Sequence, residues 1–338
     1  MQKIISKLEE WFPPQLACDW DKQIGLQLGN RKNKVSKVLL SLDVTSKEVA
    51  AAIQNKCQLI VAHHALFFNP LSKINLNSPT GKCLEQLIKN DIGVYIIHTN
   101  MDAAPEIGLS ALYAQQLGLN PSECAIIEET YREPLYKLVV FVPQTATDQV
   151  FTAISESGAG HIGNYSHCSF QTSGTGTFLP GANTQPHIGK PGQLERVPEI
   201  RIETIVPEFK KSAVIKAMLA AHPYEEVAYD LIPLAQHRSY GVGLVGTLPK
   251  PIKLNGKTIR RIGLCTGSGG SMIEAAKRLG AEAFYTGEAN HHQQLLAQEL
   301  GMELILEGHR QTEEIFMGPL GEKLKQSLGE LEVEVYRS

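Results

Sequence analysis

The sequence is short of the features that mark several large protein classes. Its six cysteines, Cys18, Cys57, Cys83, Cys124, Cys168 and Cys265, include no Cys-x-x-Cys pair. That spacing excludes a thiolate zinc knuckle and argues against a disulfide framework, so reduced and mostly buried thiols are expected. Charge of one sign is also lacking: 32 Lys and Arg nearly balance 35 Asp and Glu, for a formal charge of -3. The electrostatic footprint of a dedicated nucleic-acid binder is therefore missing. No uninterrupted run of about 18 apolar residues occurs, and charges break up the stretch from Met1 to Trp11 before a signal-peptide core forms. A cytoplasmic protein without a membrane partner is expected. What remains is a chain of 338 residues, 43% hydrophobic and 20% charged, enough for a full core in about two domains of ~150 residues.

The first third alternates short apolar runs with amphipathic stretches. Ile4 to Phe12, Ser46 to Asn55, Gly81 to Asn90 and Gly108 to Gly118 have helical periodicity, while Lys37 to Asp43, Cys57 to Ala62 and Gly93 to Ile97 are strand-like. From Tyr240 the alternation returns, with strands at Ile259 to Cys265, Ala283 to Thr286, Glu303 to Leu306 and Glu332 to Tyr336, and helices at Ser271 to Leu279, Asn290 to Leu300 and Thr312 to Leu328. This pattern predicts an α/β fold, a mainly parallel, doubly wound core built in two halves, residues 1–134 and 236–338. Between them, residues 135–235 change character. Strands at Tyr136 to Val142, Glu199 to Val206 and Glu226 to Pro233 enclose helices at Asp148 to Glu156 and Lys210 to Ala221. That succession predicts an inserted α+β, ferredoxin-like domain. The stretch from Tyr165 to Arg196 is too long for an ordinary loop and is either a functional arm or a hairpin of unplaced strands.

The chemistry lies at strand ends. His63 and His64 follow the run Gln58 to Ala62, Asp102 follows Val94 to Ile97, and His309 follows Glu303 to Leu306. In an open α/β sheet the carboxyl edge is where strands distant in sequence converge on a ligand. His309 and Glu313 are four apart, which places both on one helix face. Together these five residues are a mixed nitrogen and oxygen donor set without thiolates, suited to an open site rather than a closed structural zinc site. Five ligands exceed the needs of one tetrahedral ion, and two ions about 3.5 to 4 Å apart sharing a carboxylate fit the count. An isolated His pair after a strand is more often a loop feature, but three separate strands ending in His or Asp favour the metal. His98, four residues before Asp102, is either a supporting group that orients a ligand through its ring N–H or a strand-end histidine already satisfied.

Other motifs say less. Gly158, Gly160 and Gly163 spell G-x-G-x-x-G but follow a helix rather than a strand, the wrong context for a dinucleotide. Thr266 to Ser271 is a glycine turn between a strand and a helix and lacks the Lys of a phosphate-binding loop. The basic turn at Arg31 to Lys34 and the Pro-terminated helix before Glu226 read as solvated features.

Five strings in order carry a resemblance: Asp19-Trp-Asp-Lys-Gln-Ile-Gly-Leu-Gln27, Val61-Ala-His-His-Ala-Leu-Phe-Phe68, His98-Thr-Asn-Met-Asp102, Thr286-Gly-Glu-Ala-Asn-His-His292 and Gly308-His-Arg-Gln-Thr-Glu313. Over its whole length the chain resembles the NIF-three-like family of dinuclear-metal proteins, also described as GTP cyclohydrolase I type 2 homologues. Lys22 to Ile24 replace the family's Asn and Val before Gly25, and Met101 replaces a Leu, without loss of a ligand. The resemblance implies that His63, His64, Asp102, His309 and Glu313 hold two divalent transition-metal ions per chain, zinc, iron or manganese. It also implies a homohexameric ring, and a PII/CutA-like insert suggested by Gly158 to Tyr165, Gly174 to Phe178 and His222 to Glu226.

An open two-metal centre makes hydrolysis the natural reaction class. By resemblance the substrate is GTP, opened at C8 of guanine, with His98 or His292 moving protons. Of the neighbours His291 and His292, which diverge by ~100° on a helix, His292 is the one that matches the family. A broader hydrolase of a small phosphorylated or amide substrate is a second possibility. A third, of another class, is a non-catalytic regulatory or metal-handling protein whose insert binds an effector or partner.

Overall fold

The computed structural model describes residues 1–337. The chain divides into two compact units, Met1–Tyr131 together with the chain from Tyr240 onward, and Arg132–Ser239.

The first unit contains helices and two sheets rather than the single doubly wound sheet that the alternation suggests. One sheet has five strands in the order Gly25–Leu28, Gly93–Ile96, Leu59–Ala62, Lys37–Ser41 and Glu332–Val335. The last four pair in parallel, and Gly25–Leu28 is antiparallel at the edge. Leu59-Ile-Val-Ala62 is buried at every position, as a continuous apolar run must be when both faces of a parallel sheet are covered. Helices Ser46–Gln54 and Pro79–Lys89 cover one of those faces, Val49, Ala52, Cys83 and Leu87 packing with Leu39, Ile60 and Val94. Thr45 and Glu48 close a capping box at the start of Ser46–Gln54, which satisfies backbone donors that the first turn leaves unpaired.

The other sheet carries Glu303–Leu306, Ala283–Thr286 and Lys257–Cys265 in parallel, with residues 240–254 of the strand Tyr229–Leu254 running antiparallel to Lys257–Cys265. Phe284, Ala276, Ile273 and Val245 form one of its cores. The C-terminal strand Glu332–Val335 therefore pairs with Lys37–Ser41 of the first sheet instead of extending the second.

The second unit runs β-α-β-β-α-β through Ala125–Pro143, Thr147–Glu156, Ser169–Phe178, Glu195–Pro207, Glu208–Ala221 and Tyr229–Leu254. Leu138, Val140 and Val142 alternate onto one strand face and meet Val150 and Ile154 of one helix and Val214 and Met218 of the other. Period two meets an i, i+4 spacing, which is how a sheet face accepts a helix. The long stretch before Arg196 is a hairpin: Ser169–Phe178 pairs antiparallel with Glu195–Pro207. Its strand alternation is hidden because Ser169–Phe178 is exposed at most positions. All six cysteines are free thiols, and among the described residues no helix is long and apolar enough to cross a membrane.

Candidate metal centre

Backbone pairing beyond the strand ends holds the candidate residues in place. His63 and His64 donate their N–H groups to the carbonyls of Ser41 and Leu42 at 3.3 and 2.8 Å, so the His pair leaves the sheet in register with its neighbour. In the second sheet Glu288 N–H donates to Gly267 C=O at 3.0 Å, and Gly308 N–H to Gly287 C=O at 2.9 Å. Three successive parallel strands thus deliver Gly267, Glu288 and His309 at one edge. Thr312 ties them together, its hydroxyl accepting from Gly267 N–H at 2.9 Å and lying 2.9 Å from the carbonyl of His309.

The side chains meet around Glu313. Its Oε2 lies 3.0 Å from His309 Nε2, 3.1 Å from His64 Nε2 and 3.9 Å from His63 Nδ1. His64 Nε2 and His309 Nε2 are themselves 3.4 Å apart. Despite this crowding, Glu313 Oε2 and His63 Nδ1 are buried without a hydrogen-bond partner. A buried polar atom left in that state costs free energy unless something else satisfies it. Two overlapping triads have donor atoms close enough to share an ion, His64 with His309 and Glu313, and His63 with His64 and His98. Asp102 stands beside them, its Oδ1 3.0 Å from His63 Nε2.

Each of three imidazoles is backed by a carboxylate on its far nitrogen. His64 Nδ1 meets Asp43 at 2.8 Å, His98 Nδ1 meets Asp21 at 2.9 Å, and His309 Nδ1 meets Glu288 at 3.1 Å. A carboxylate on one ring nitrogen fixes the tautomer and turns the other lone pair toward the cluster, the usual arrangement behind metal-ligating histidines. Asp43 is held in turn by Arg310 at 2.5 Å, and Asp21 accepts from both the N–H and hydroxyl of Thr99.

The electrostatics follow from this pairing. Burial alone would lower the His64 imidazolium, but Asp43 and Glu313 outweigh it and lift its pKa to about 10. The contact with Glu313 lifts His309 to about 9 against the opposing effect of burial. Burial would raise the Glu313 carboxyl, yet His63, His309 and His64 hold it well below the ordinary range. For Asp21, burial is likewise outweighed by His98 and Thr99, which bring it to about 2. Positive charge is thus strongly favoured where these groups converge. The Cys265 thiol is buried, and that burial pushes its pKa up.

The donors present fit a divalent cation or a pair of them: imidazole nitrogens and carboxylate oxygens, no thiolate, and two buried lone pairs facing each other. Of the residues singled out in the sequence, His63, His64, Asp102, His309 and Glu313 come together, and His98 joins them, its ring 5.0 Å from that of His63. His292 does not. It is exposed in the first turn of His291–Glu299, and its ring contact among the described residues is with His291 at 5.8 Å. Glu313 ends the short helix His309–Glu313 and is the N-cap of the following turn Glu314–Phe316, where its side chain makes no capping hydrogen bond.

Several neighbours were not evident from the sequence. Asp43, Glu288 and Asp21 are the backing carboxylates, and Asp43 carries the same strand-end signal as Asp102, following Lys37–Ser41. Gly267 has φ +60°, and a Cβ there would come within 2.0 Å of Glu313 Oε1. Trp20 and Phe68, 60% and 54% exposed, stand edge-on to His98 at 5.8 and 6.1 Å.

Known proteins place the chain. A protein called GTP cyclohydrolase 1 type 2 homolog from Halalkalibacterium halodurans is 40% identical, with 97% of this chain and 92% of that protein covered. One of the same name from Bacillus subtilis is 38% identical over 91% of this chain and 87% of the other. The crystal structure of a Bacillus cereus protein related to NIF3 superposes with a TM-score of 0.88 at 38% identity, covering 99% of this chain and 96% of that one. Staphylococcus aureus protein SA1388 follows at 0.67 and 25% identity, covering 100% and 96%. The match to the family described as Duf34/NIF3 (NGG1p interacting factor 3) extends over residues 1–338, and the chain belongs to that family.

Proposed function

We propose that the histidine and carboxylate cluster holds two divalent transition-metal ions and that the chain is a metal-dependent hydrolase acting on a small, nucleotide-like substrate. The observation that carries this reading is the pair of buried, unsatisfied atoms, His63 Nδ1 and Glu313 Oε2, 3.9 Å apart among carboxylate-backed imidazoles. Bound cations would satisfy both atoms. His64, His309 and Glu313 would hold one ion, and His63 and His98, with Asp102 beside them, would hold the other. Divalent ions at such a centre supply an acidified water and a polarised electrophile.

The chain's own residues do the rest. Asp43, Asp21 and Glu288 hold the imidazoles in position, and Arg310 restrains Asp43. Trp20 and Phe68 offer exposed aromatic surface beside His98, suited to the face of a planar ring. That surface and the name of the relatives, GTP cyclohydrolase 1 type 2 homolog, favour a guanine nucleotide, GTP, as substrate. We assign His292 no contact with the reacting atoms. The Arg132–Ser239 unit is read as the PII/CutA-like insert of a cytoplasmic, homohexameric protein, a reading supported by its β-α-β-β-α-β order.

Elemental analysis of protein purified without chelator, paired with turnover of GTP and other nucleotides, tests the proposal. About two zinc, iron or manganese ions per chain with ring opening of GTP is the expected result. Metal binding without turnover of any nucleotide would favour the regulatory or metal-handling reading, and absence of metal after growth in supplemented medium would overturn both.

A further inference from the structure

We propose that the Arg132–Ser239 unit carries a binding site of its own for a small organic cation, an amine with a short apolar body, in the cavity between Phe178, Tyr224 and Glu199. The cavity has a volume of about 290 Å³, just under the range typical of ligand clefts and therefore matched to a small molecule. It shares no residue with the histidine cluster.

The buried carboxylate is the starting point. Glu199 lies on Glu195–Pro207 and is 8% exposed. Its Oε1 accepts from the Tyr224 hydroxyl at 3.0 Å, and its Oε2 has no hydrogen-bond partner among the described residues. A carboxylate with so little exposure is normally paired, and the oxygen that is not paired keeps some contact with solvent, open to a ligand. The chain makes room for that oxygen by placing Gly176 opposite, where a Cβ would come within 2.1 Å of it. Tyr224 is fixed from behind: its N–H donates to His222 Nδ1 at 3.1 Å, while His222 Nε2–H donates to the Phe141 carbonyl at 3.0 Å. Burial lowers the pKa of His222, in keeping with a neutral ring that accepts on one side and donates on the other.

The lining decides the sign of the ligand. Glu225 and Glu226 join Glu199, and among the described residues no Lys or Arg lines the cavity, His187 being its one basic side chain. Glu225 accepts from Gln185 N–H at 3.2 Å, which ties down the loop after Phe178. Arg201 stacks over Phe141 at 5.9 Å but is paired with Glu203 at 2.9 Å, so its charge does not neutralise the site. Phe178 and Tyr224 remain, T-shaped at 5.7 Å and 62°. Ring faces beside carboxylates attract ammonium groups and give nothing to an anion.

Calorimetric titration of the full chain with phenethylamine and with its neutral counterpart phenethyl alcohol tests this. The amine should bind at least about tenfold more tightly than the alcohol. Glu199→Gln should abolish that difference, with the melting temperature of the unliganded protein reporting on its fold. Phe178→Leu keeps apolar volume but removes a ring, and should weaken the amine several-fold while sparing the alcohol, which keeps the test readable if Glu199→Gln fails to fold. Equal binding of amine and alcohol, binding of neither up to about 10 mM, or a response to magnesium or calcium alone would overturn the proposal.

Discussion

His309 and Glu313, at the two ends of one short helix, bring Nε2 and Oε2 to within 3.0 Å of each other, and His64 Nε2 closes on the same oxygen at 3.1 Å. The arrangement concentrates one carboxylate oxygen among several nitrogens that have few other partners, and the first prediction concerns that carboxylate.

Glu313→Gln keeps the volume and removes the charge that offsets bound cations. Metal occupancy should fall, with affinity for at least one ion weakened by about tenfold or more, about 1.4 kcal/mol, and any hydrolytic rate should drop with it. Metal stoichiometry and melting temperature measured together decide the matter: full occupancy with only a slightly lower melting temperature would remove Glu313 from the ligand set.

Asp43 meets the cluster at His64 Nδ1, 2.8 Å away. Asp43→Asn should weaken metal binding by about 10- to 100-fold, as loss of a carboxylate behind a ligating histidine does. Both partners of the Asp43–Arg310 pair are partly exposed, so its loss should cost little stability. Competition with a chromogenic chelator measures the affinity, and an unchanged value would show that His64 needs no orienting group.

Gly267→Ala and Gly301→Ala form a matched pair. Both glycines have positive φ, +60° and +63°, but only at Gly267 would a Cβ strike Glu313 Oε1, whereas nothing lies within 4 Å at Gly301. Each should lose about 1–2 kcal/mol from left-handed backbone strain, and only Gly267→Ala should also lose metal. Equal metal content in the two variants would mean that the glycine turn does not shape the site.

Replacing residues 132–239 with a short linker should leave a folded protein that still takes up metal, because the cluster and the cores around both sheets of the first unit draw on residues outside that span. Circular dichroism and metal analysis of the shortened chain check it, and aggregation or loss of metal would show the insert to be integral.

Much of the architecture was legible in the amino-acid order because it depends on local pattern. Continuous apolar runs such as Leu59 to Ala62 mark buried parallel strands, and their ends mark where His63, His64, Asp102 and His309 leave the sheet. The i, i+4 spacing of His309 and Glu313 needs nothing beyond helix geometry. Other relations are long-range and left no periodic trace. The pairing of Glu332–Val335 with Lys37–Ser41 splits the predicted single sheet into two. Asp21 reaches His98 across 77 positions, and His309 reaches His64 across 245. Asp43 looked like any strand-end residue until the folded chain set it against an imidazole. The sequence by itself determined the elements and the donor types, since both are properties of residues and their nearest neighbours. Only the tertiary structure decided which strand ends meet and which carboxylates stand behind which histidines, because those choices follow from how the strands pair and pack.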